Sequence, residues 1–154
     1  MEIVIIRPPL VCGAGAPGNF DRLLQLVASG IPLPFSGVEN RRTFAVRADL
    51  VDLILTATDH PGAPGAPLLA GDPSTISTPD LLQRLARHLH RPARLFRLPG
   101  LTAVAWLPLV GGPLRKLTDS LEVDVSDTMA RLDWSPRVGL DEGLAEMARA
   151  WRGM

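Results

Sequence analysis

The sequence of 154 residues contains no tyrosine and only one cysteine. Without tyrosine, the chain cannot supply a phenol that donates or accepts a proton during a reaction. The lone thiol, Cys12, has no second cysteine with which to form an internal disulfide, and a small, partly buried side chain is a more common role for it than a nucleophile. The cysteine count and the lack of a signal-peptide pattern lead us to expect a cytoplasmic protein.

An excess of charge is also lacking, because 16 lysine and arginine residues balance 16 aspartate and glutamate residues. This neutrality argues against nucleic acid as a partner, since phosphate backbones are bound mainly through positive charge. The longest uncharged run, residues 98–114, is interrupted by three prolines and three glycines and falls short of the roughly 20 apolar residues of a membrane span. We therefore expect a domain that binds neither nucleic acid nor a membrane.

The chain does contain enough hydrophobic residues, 46%, to form one packed domain across residues 1–154. Short strand patterns alternate with amphipathic helix patterns, which predicts an α/β fold. Four consecutive β-branched residues, Ile3–Ile6, are typical of a strand buried on both faces of a parallel sheet. This strand is either a native edge strand or one whose neighbours are not part of the chain. In the second case, we expect it to pair with another copy of the chain or to be buried in a homo-oligomer.

Three helices are predicted together with their first residues. The first helix covers Asn19–Ser29, with Asn19 as its N-cap and Gly30 ending it. The second follows Asp49, whose carboxylate fits an N-cap, and the third begins at Thr78 as N-cap. The apolar face of the first helix contains Phe20, Leu23, Leu24 and Val27, and that of the second contains Leu50, Leu53, Ile54 and Ala57.

The other segments have shorter patterns that predict loops, short strands and a further helix. Ile31–Arg42 contains two prolines and a glycine and is expected to form a surface loop. Thr43–Arg47 and Leu121–Val125 have the pattern of short strands, and Leu101–Val110 has that of an apolar helix bent at a proline. Trp134 is expected to pack in the core.

Two patterns bear on ligand binding. Gly13–Gly18 has the Gly-x-Gly-x-x-Gly spacing of a dinucleotide-binding loop, but two prolines separate it from the preceding strand, which favours an ordinary flexible loop. Arg41 and Arg42 stand together at the start of a short strand, where they either hold a diphosphate between two guanidinium groups or form ordinary surface charge. The three histidines lack the spacing of a metal site.

Five short segments carry a pattern that extends over nearly the whole chain. In Ile5–Gly13, a predicted strand is followed by Arg-Pro-Pro. Asn40–Val51 contains an arginine pair, then a short strand that begins with an aromatic residue, then Asp-Leu. In Gly71–Leu82, Gly-Asp precedes a helix with an N-cap residue. Arg131–Pro136 and Leu140–Leu144 contain Leu-Asp-Trp-Ser-Pro and Leu-Asp-Glu-Gly-Leu. In this order and spacing, the segments resemble the C-terminal half of extended short-chain dehydrogenases/reductases of the NAD-dependent epimerase/dehydratase family.

This resemblance implies a fold, a ligand and a set of site residues. The fold is the C-terminal, substrate-binding portion of such an enzyme, without the N-terminal dinucleotide-binding half. By position, Arg42 resembles the arginine that holds the diphosphate of a UDP-sugar, and Asn19 resembles an asparagine that contacts a phosphate. Arg41 is a second substrate-binding candidate, and Pro8 resembles the residue beside the nicotinamide of NAD. The implied reactions are those of UDP-hexose 4-epimerases, dehydratases and 4-keto reductases of bacterial polysaccharide biosynthesis.

The family's reaction needs groups that this sequence does not contain. In the mechanism that the resemblance implies, a tyrosine removes a hydroxyl proton while hydride passes to NAD, and a lysine in a Tyr-x-x-x-Lys motif lowers the pKa of the tyrosine. We therefore expect this chain to be inactive alone and to bind NAD poorly. The alternative is a stand-alone, non-enzymatic module that binds a nucleotide or a protein partner.

Overall fold

Four short strands form two parallel pairs in the computed structural model, which describes residues 2–15, 19–101 and 111–153. Strand β1 (Ile6–Arg7) lies beside β4 (Leu68–Leu69), and β2 (Leu10–Cys12) lies beside β3 (Phe44–Val46). Strands alternate with helices along the first half of the chain, so the predicted α/β class is confirmed. Six helices have both ends within the described residues: α1 (Asn19–Ala28), α2 (Arg47–Asp59), α3 (Thr78–His88), α4 (Gly111–Thr118), α5 (Ser126–Leu132) and α6 (Leu140–Arg152).

The larger hydrophobic core lies where α1, α3 and α6 meet β2 and β3. The first predicted helix is confirmed within one residue, and Gly30 follows it with a φ of 68°, a conformation that glycine adopts without steric cost. All four residues predicted for the apolar face of α1 are buried in this core. Helical periodicity in the sequence was therefore sufficient to predict which face of α1 is buried.

A second, smaller core lies between α2, α5 and the β1–β4 pair. Its buried residues include Leu53 from α2, Leu68 from β4 and Leu132 from α5. Trp134 packs here as predicted, and its indole Nε1 donates a hydrogen bond of 2.7 Å to Asp52 Oδ2. This bond connects the end of α5 to the side of α2.

The expectation for Ile3–Ile6 is wrong in its boundaries and in its burial. The strand begins at Ile6, and Ile3 and Ile5 are 62% and 48% exposed. A strand buried on both faces needs a layer on each, whereas the second core covers only the face that carries Val4 and Ile6. The opposite face of this segment is therefore open.

The expectation of a surface loop at Ile31–Arg42 is also wrong. Leu33, Phe35 and Val38 are buried in the larger core, and Asn40 is buried with them. Backbone hydrogen bonds at Leu33 and Ser36 tie this segment to residues 94–97. Proline and glycine mark irregular backbone, but irregular backbone can be buried when other segments satisfy its polar groups.

Several predicted helix and strand ends differ from the structure. Helix α2 begins at Arg47, and Asp49 lies within its first turn, where Oδ1 accepts hydrogen bonds from the Arg137 and Val138 amides at 2.8 and 2.9 Å. Ser77, rather than Thr78, caps α3 by accepting a hydrogen bond from the Asp80 amide. The segment predicted as a strand at Leu121–Val125 forms one isolated bridge, between Leu121 and Arg42. The helix predicted over Leu101–Val110 lies mostly outside the described residues.

Helix α6 approaches β3 so closely that only glycine fits at one position. A Cβ atom on Gly143 would lie 2.9 Å from Val46 Cγ1 and 3.4 Å from Cys12 Sγ. Carbon atoms do not approach to 2.9 Å without a shift of the neighbour, and valine has little freedom at χ1. The glycine of the Leu-Asp-Glu-Gly-Leu segment therefore brings α6 into contact with the strand pair.

We expect Gly143→Val to lower the free energy of unfolding by about 1 to 3 kcal/mol, because it overpacks this contact. Gly139→Ala is the matched control, since nothing lies within 4 Å of a Cβ atom there. Urea unfolding followed by circular dichroism measures both. Equal stability of the two variants would contradict the packing role of Gly143.

No helix among the described residues is long and apolar enough to cross a membrane.

Candidate functional site

A cavity of about 770 Å³ opens beside β2 and β3, a size typical of small-ligand sites. Its walls come from α1, α3 and α4 and from the prolines that follow β1. Most of its lining is apolar, with Leu10 and Phe44 contributed by the two strands. Its remaining apolar lining residues are Pro8, Pro9, Leu23, Leu26, Leu81, Leu117 and Leu121.

The charged residues that line this cavity are all cations. They are Arg22 from α1, Arg42 from the segment before β3, and Lys116 from α4. No acidic side chain is among the described lining residues. Positive groups on three walls of an apolar cleft favour a ligand that carries negative charge beside an apolar or planar part.

Arg42 is the most enclosed of the three cations. Its Nη1 donates to the backbone oxygens of Lys116 at 2.7 Å and Asp119 at 2.9 Å, at the C-terminal end of α4. Burial lowers the pKa of the Arg42 guanidinium from its ordinary value, and the Asp119 carboxylate partly opposes this shift. The hydrogen bonds found for this side chain within the described residues all use Nη1, so Nε and Nη2 remain available to hold a ligand oxygen pair.

The wall formed by α4 is held in place by a buried polar cluster. Asn40 Nδ2 donates to Thr78 Oγ1 at 3.0 Å, to the Leu117 oxygen at 3.1 Å and to the Asp119 oxygen at 3.2 Å, and Asn40 Oδ1 accepts from the Thr78 amide at 2.8 Å. Thr78 Oγ1 donates to the Leu117 oxygen. Asn40 and Thr78 thereby satisfy carbonyl groups at the end of α4 that have no partner within the helix.

The other residues singled out from the sequence occupy different places. Arg41 does not line the cavity, since its exposed side chain forms an ion pair with Glu122, Nε to Oε2 at 3.1 Å. Asn19 is the first residue of α1, and its side chain lies outside the description. Pro8 is exposed at the cavity rim. The structure therefore brings Arg42 and Pro8 to one cavity and separates Arg41 from it.

The glycine-rich segment after β2 does not have the form of a dinucleotide cradle in its described part. A Cβ atom on Gly13 would lie 2.8 Å from Arg47 Cβ. The Arg47 side chain, rather than a phosphate, therefore occupies the space beside Gly13. Arg47 also donates to the Ala14 oxygen and forms an ion pair with Glu146 at 2.8 Å. The space beside Gly13 is therefore not open to an NAD pyrophosphate.

Neither Cys12 nor the histidines form a reactive centre. Burial raises the pKa of the Cys12 thiol to about 12, so it stays protonated and weakly nucleophilic at neutral pH. His88 Nε2 lies 3.3 Å from Asp141 Oδ2 but without the geometry of a hydrogen bond. No group of three potential metal ligands occurs among the described residues.

Two of the cavity's cations were not identified from the sequence. Arg22 and Leu26 are one helical turn apart on α1, at the border of its apolar face, and this spacing is a signal that could have placed Arg22 beside a cleft. Lys116 follows an apolar run whose structure the sequence pattern does not define. Its position depends on the hydrogen bonds from Asn40 and Arg42 to α4, which no local pattern shows.

The chain is similar to two curated proteins over almost its full length. No protein-family model matches it. It is 38% identical to the UDP-glucose 4-epimerase of Vibrio cholerae over 98% of this chain and 47% of that protein. It is 25% identical to the uncharacterized protein y4nL of Sinorhizobium fredii over 94% of this chain and 46% of that protein. The chain thus spans about half the length of the curated relatives it matches.

Solved structures share this fold. The UDP-glucuronic acid 4-epimerase from Bacillus cereus in complex with NAD superposes with a TM-score of 0.72 at 21% identity, over 99% of this chain and 44% of that one. The UDP-glucose 4-epimerase with UDP-glucose from Thermotoga maritima gives a TM-score of 0.68 at 16% identity, over 99% and 47%. These likenesses show a common fold that covers slightly less than half of each larger structure.

Proposed function

Because the chain is related over nearly its whole length to nucleotide-sugar epimerases of the extended short-chain dehydrogenase/reductase family, we propose that residues 1–154 form one substrate-binding domain of such an enzyme. Its ligand is a UDP-sugar, bound in the cavity between α1, α3 and α4. The observation that carries this proposal is the lining of that cavity. Among the described residues its charged groups are three cations, and the hydrogen bonds found there for Arg42 leave Nε and Nη2 available to hold a diphosphate.

A nucleotide sugar matches the chemistry of this cavity. Its diphosphate carries two negative charges, which suit the positions of Arg22, Arg42 and Lys116. Its planar base and its sugar ring suit the apolar walls, which include Phe44 and Leu10. Because leucine and proline make up most of the described lining, few side chains apart from the cations can donate hydrogen bonds to sugar hydroxyls, which favours N-acetylated or deoxy hexoses. Such sugars fit a 4-epimerase, dehydratase or 4-keto reductase of bacterial polysaccharide biosynthesis.

The chemical step of this reaction requires groups from elsewhere. The sequence has no tyrosine, and Arg47 fills the space beside Gly13. NAD, where bound, would accept and return the hydride. The contribution of this chain is to hold the diphosphate through Arg42 and Lys116 and to exclude water with the apolar walls. Arg42 and Asn19 are proposed to contact the substrate, and Pro8 to border the nicotinamide, whereas Arg41 pairs with Glu122 outside the cavity.

We expect calorimetric titration of this chain with NAD to give no binding in the micromolar range, while titration with UDP-glucose gives saturable heat. The reason is that the cavity offers cations for a diphosphate, whereas two prolines separate the Gly13–Gly18 spacing from its strand and Arg47 fills the space beside Gly13. Coupled assays with UDP-glucose and NAD are expected to show no turnover by the chain alone. Micromolar affinity for NAD, or any turnover, would contradict the proposal.

A second function has one observation in its favour. The chain exposes large hydrophobic side chains along α2 and just before β1, which suits a non-enzymatic module that binds a protein partner. The two functions separate by titration with UDP, which a purely protein-binding module would not bind.

A further inference from the structure

Lys116 lines the cavity, but its own side chain has no partner among the described residues. The side chain is exposed, and neither an ion pair nor a hydrogen bond holds its ammonium group within the part of the chain that the structure describes. A lysine is a point charge on a flexible four-carbon stem, so its average position follows the backbone from which it extends. The place of Lys116 at the cavity therefore depends on where the end of α4 lies.

Hydrogen bonds, more than apolar packing, hold this end of α4. Among the side chains at residues 115–118, Leu117 alone packs against a hydrophobic core. Three backbone oxygens at the end of the helix accept hydrogen bonds from side chains of other segments. The oxygens belong to Lys116, Leu117 and Asp119, and the donors are Asn40, Arg42 and Thr78.

Asn40 connects the end of α4 to the first residue of α3. Its Nδ2 donates to the Leu117 and Asp119 oxygens at 3.1 and 3.2 Å, and its Oδ1 accepts from the Thr78 amide at 2.8 Å. Asn40 is 5% exposed, so these bonds are shielded from water. Thr78 and Lys116 line the cavity on its α3 and α4 sides. Asn40 thereby fixes one of these walls relative to the other.

The same oxygen of Asp119 also orients Arg42. Arg42 Nη1 lies 2.9 Å from this oxygen and Asn40 Nδ2 lies 3.2 Å from it. Because a guanidinium group is planar and rigid, a bond that holds Nη1 toward α4 also fixes the direction of the edge that carries Nε and Nη2. A shift of the Asp119 oxygen would therefore change the orientation of Arg42 together with the position of Lys116.

We propose that Asn40 is a positioning residue of the nucleotide site, which holds Lys116 and Arg42 in the mutual arrangement that a diphosphate needs. This inference rests on the function proposed for the cavity. Asn40 is not one of the residues that line the cavity, so it acts through the two cations and not by touching the ligand. Cations that are held in place before binding lose less conformational freedom when the anion arrives.

A double-mutant cycle of Asn40→Asp and Lys116→Ala, measured by calorimetric titration with UDP, tests the proposal. The carboxylate of Asn40→Asp faces the Leu117 and Asp119 oxygens without a hydrogen to donate and repels them. Ser120→Ala is the matched control, because it removes a hydrogen bond to the Arg41 amide just after α4 but lies outside the cavity. Circular dichroism establishes that each variant is folded at the temperature of the titration. Asn40→Ala takes the place of Asn40→Asp in the cycle if the latter does not fold.

In the wild-type chain, we expect Lys116→Ala to raise the dissociation constant for UDP about fivefold, the upper range for an exposed charge. Asn40→Asp is expected to raise it about tenfold, because one cation is displaced and the other is misdirected. Adding Lys116→Ala to Asn40→Asp should then raise it by less than about twofold, since the displaced lysine contributes little. Ser120→Ala should also change it by less than about twofold.

Two results would overturn this inference and leave the proposed function in place. The first is an equal factor for Lys116→Ala with and without Asn40→Asp, because an asparagine that serves only the stability of the fold leaves the contribution of the lysine unchanged. The second is tight UDP binding by the wild-type chain that Lys116→Ala does not weaken. A wild-type chain that shows no saturable binding of UDP would instead overturn the proposed function, and this inference with it.

Discussion

Replacing Arg42 with alanine is expected to raise the dissociation constant of the chain for UDP by well over tenfold. The side chain is partly buried, and its Nε and Nη2 can form two parallel charge-assisted hydrogen bonds to a diphosphate. Removing such a partner from a largely desolvated site costs roughly 2 to 5 kcal/mol of binding free energy. Calorimetric titration with UDP measures the change directly.

Arg41→Ala is the matched control for this experiment. Arg41 is the neighbouring arginine, but it pairs with Glu122 at the surface and does not line the cavity. An exposed ion pair contributes about 0 to 1 kcal/mol, so UDP affinity should change less than about fivefold. Arg42→Lys retains the charge but not the paired hydrogen bonds and is expected to fall between the two. If Arg41→Ala and Arg42→Ala both changed the UDP dissociation constant by the same small factor, Arg42 would be an ordinary surface charge and not a diphosphate-binding residue.

Replacing Asn40 with alanine is expected to lower the free energy of unfolding by about 1 to 3 kcal/mol. The change leaves the Thr78 amide without its partner in a buried site, while the Leu117 and Asp119 oxygens keep their second donors, Thr78 Oγ1 and Arg42 Nη1. An unsatisfied buried polar group costs about 1 to 3 kcal/mol. For a chain of this length, the melting temperature should fall by roughly 3 to 10 °C. Thermal unfolding followed by circular dichroism measures it.

Two further variants separate lost hydrogen bonds from lost volume. Asn40→Asp keeps the size of the side chain but replaces the donor with a carboxylate that faces the Leu117 and Asp119 oxygens, so it should destabilise the chain at least as much as Asn40→Ala. Ser120→Ala removes only an exposed hydrogen bond with the Arg41 amide and should change stability by less than about 0.5 kcal/mol. A stable Asn40→Asp variant would contradict the role of the amide in holding α4.

Local sequence patterns correctly predicted the buried residues where a single face of a helix packs against one core. The apolar residues of α1 recur at helical spacing, and all four are buried. The ends of elements were harder to predict, because they depend on distant partners. Asp49 has the residue type of an N-cap, but its carboxylate instead accepts amides of residues 88 and 89 positions later in the chain. Periodicity also placed Ile54 in the core, although α2 buries a narrower face than the pattern implies.

The candidate site was only partly predictable for a similar reason. Arg42 was identified through a family resemblance, and the structure places it in the cavity. Arg22 and Lys116 reach the same cavity from helices nearly one hundred residues apart, and α4 is positioned by Asn40, which lay in a segment expected to be a surface loop. Pairwise contacts over such separations leave no spacing pattern in the sequence.

Calorimetric titration of the wild-type chain with UDP, UMP and uridine tests the central claim most directly. If the cations of the cavity hold a diphosphate, UDP should bind at least tenfold more tightly than UMP, and uridine should give no saturable heat. Binding of all three with equal affinity, or saturable binding of none, would contradict the assignment of this cavity as a nucleotide-sugar site.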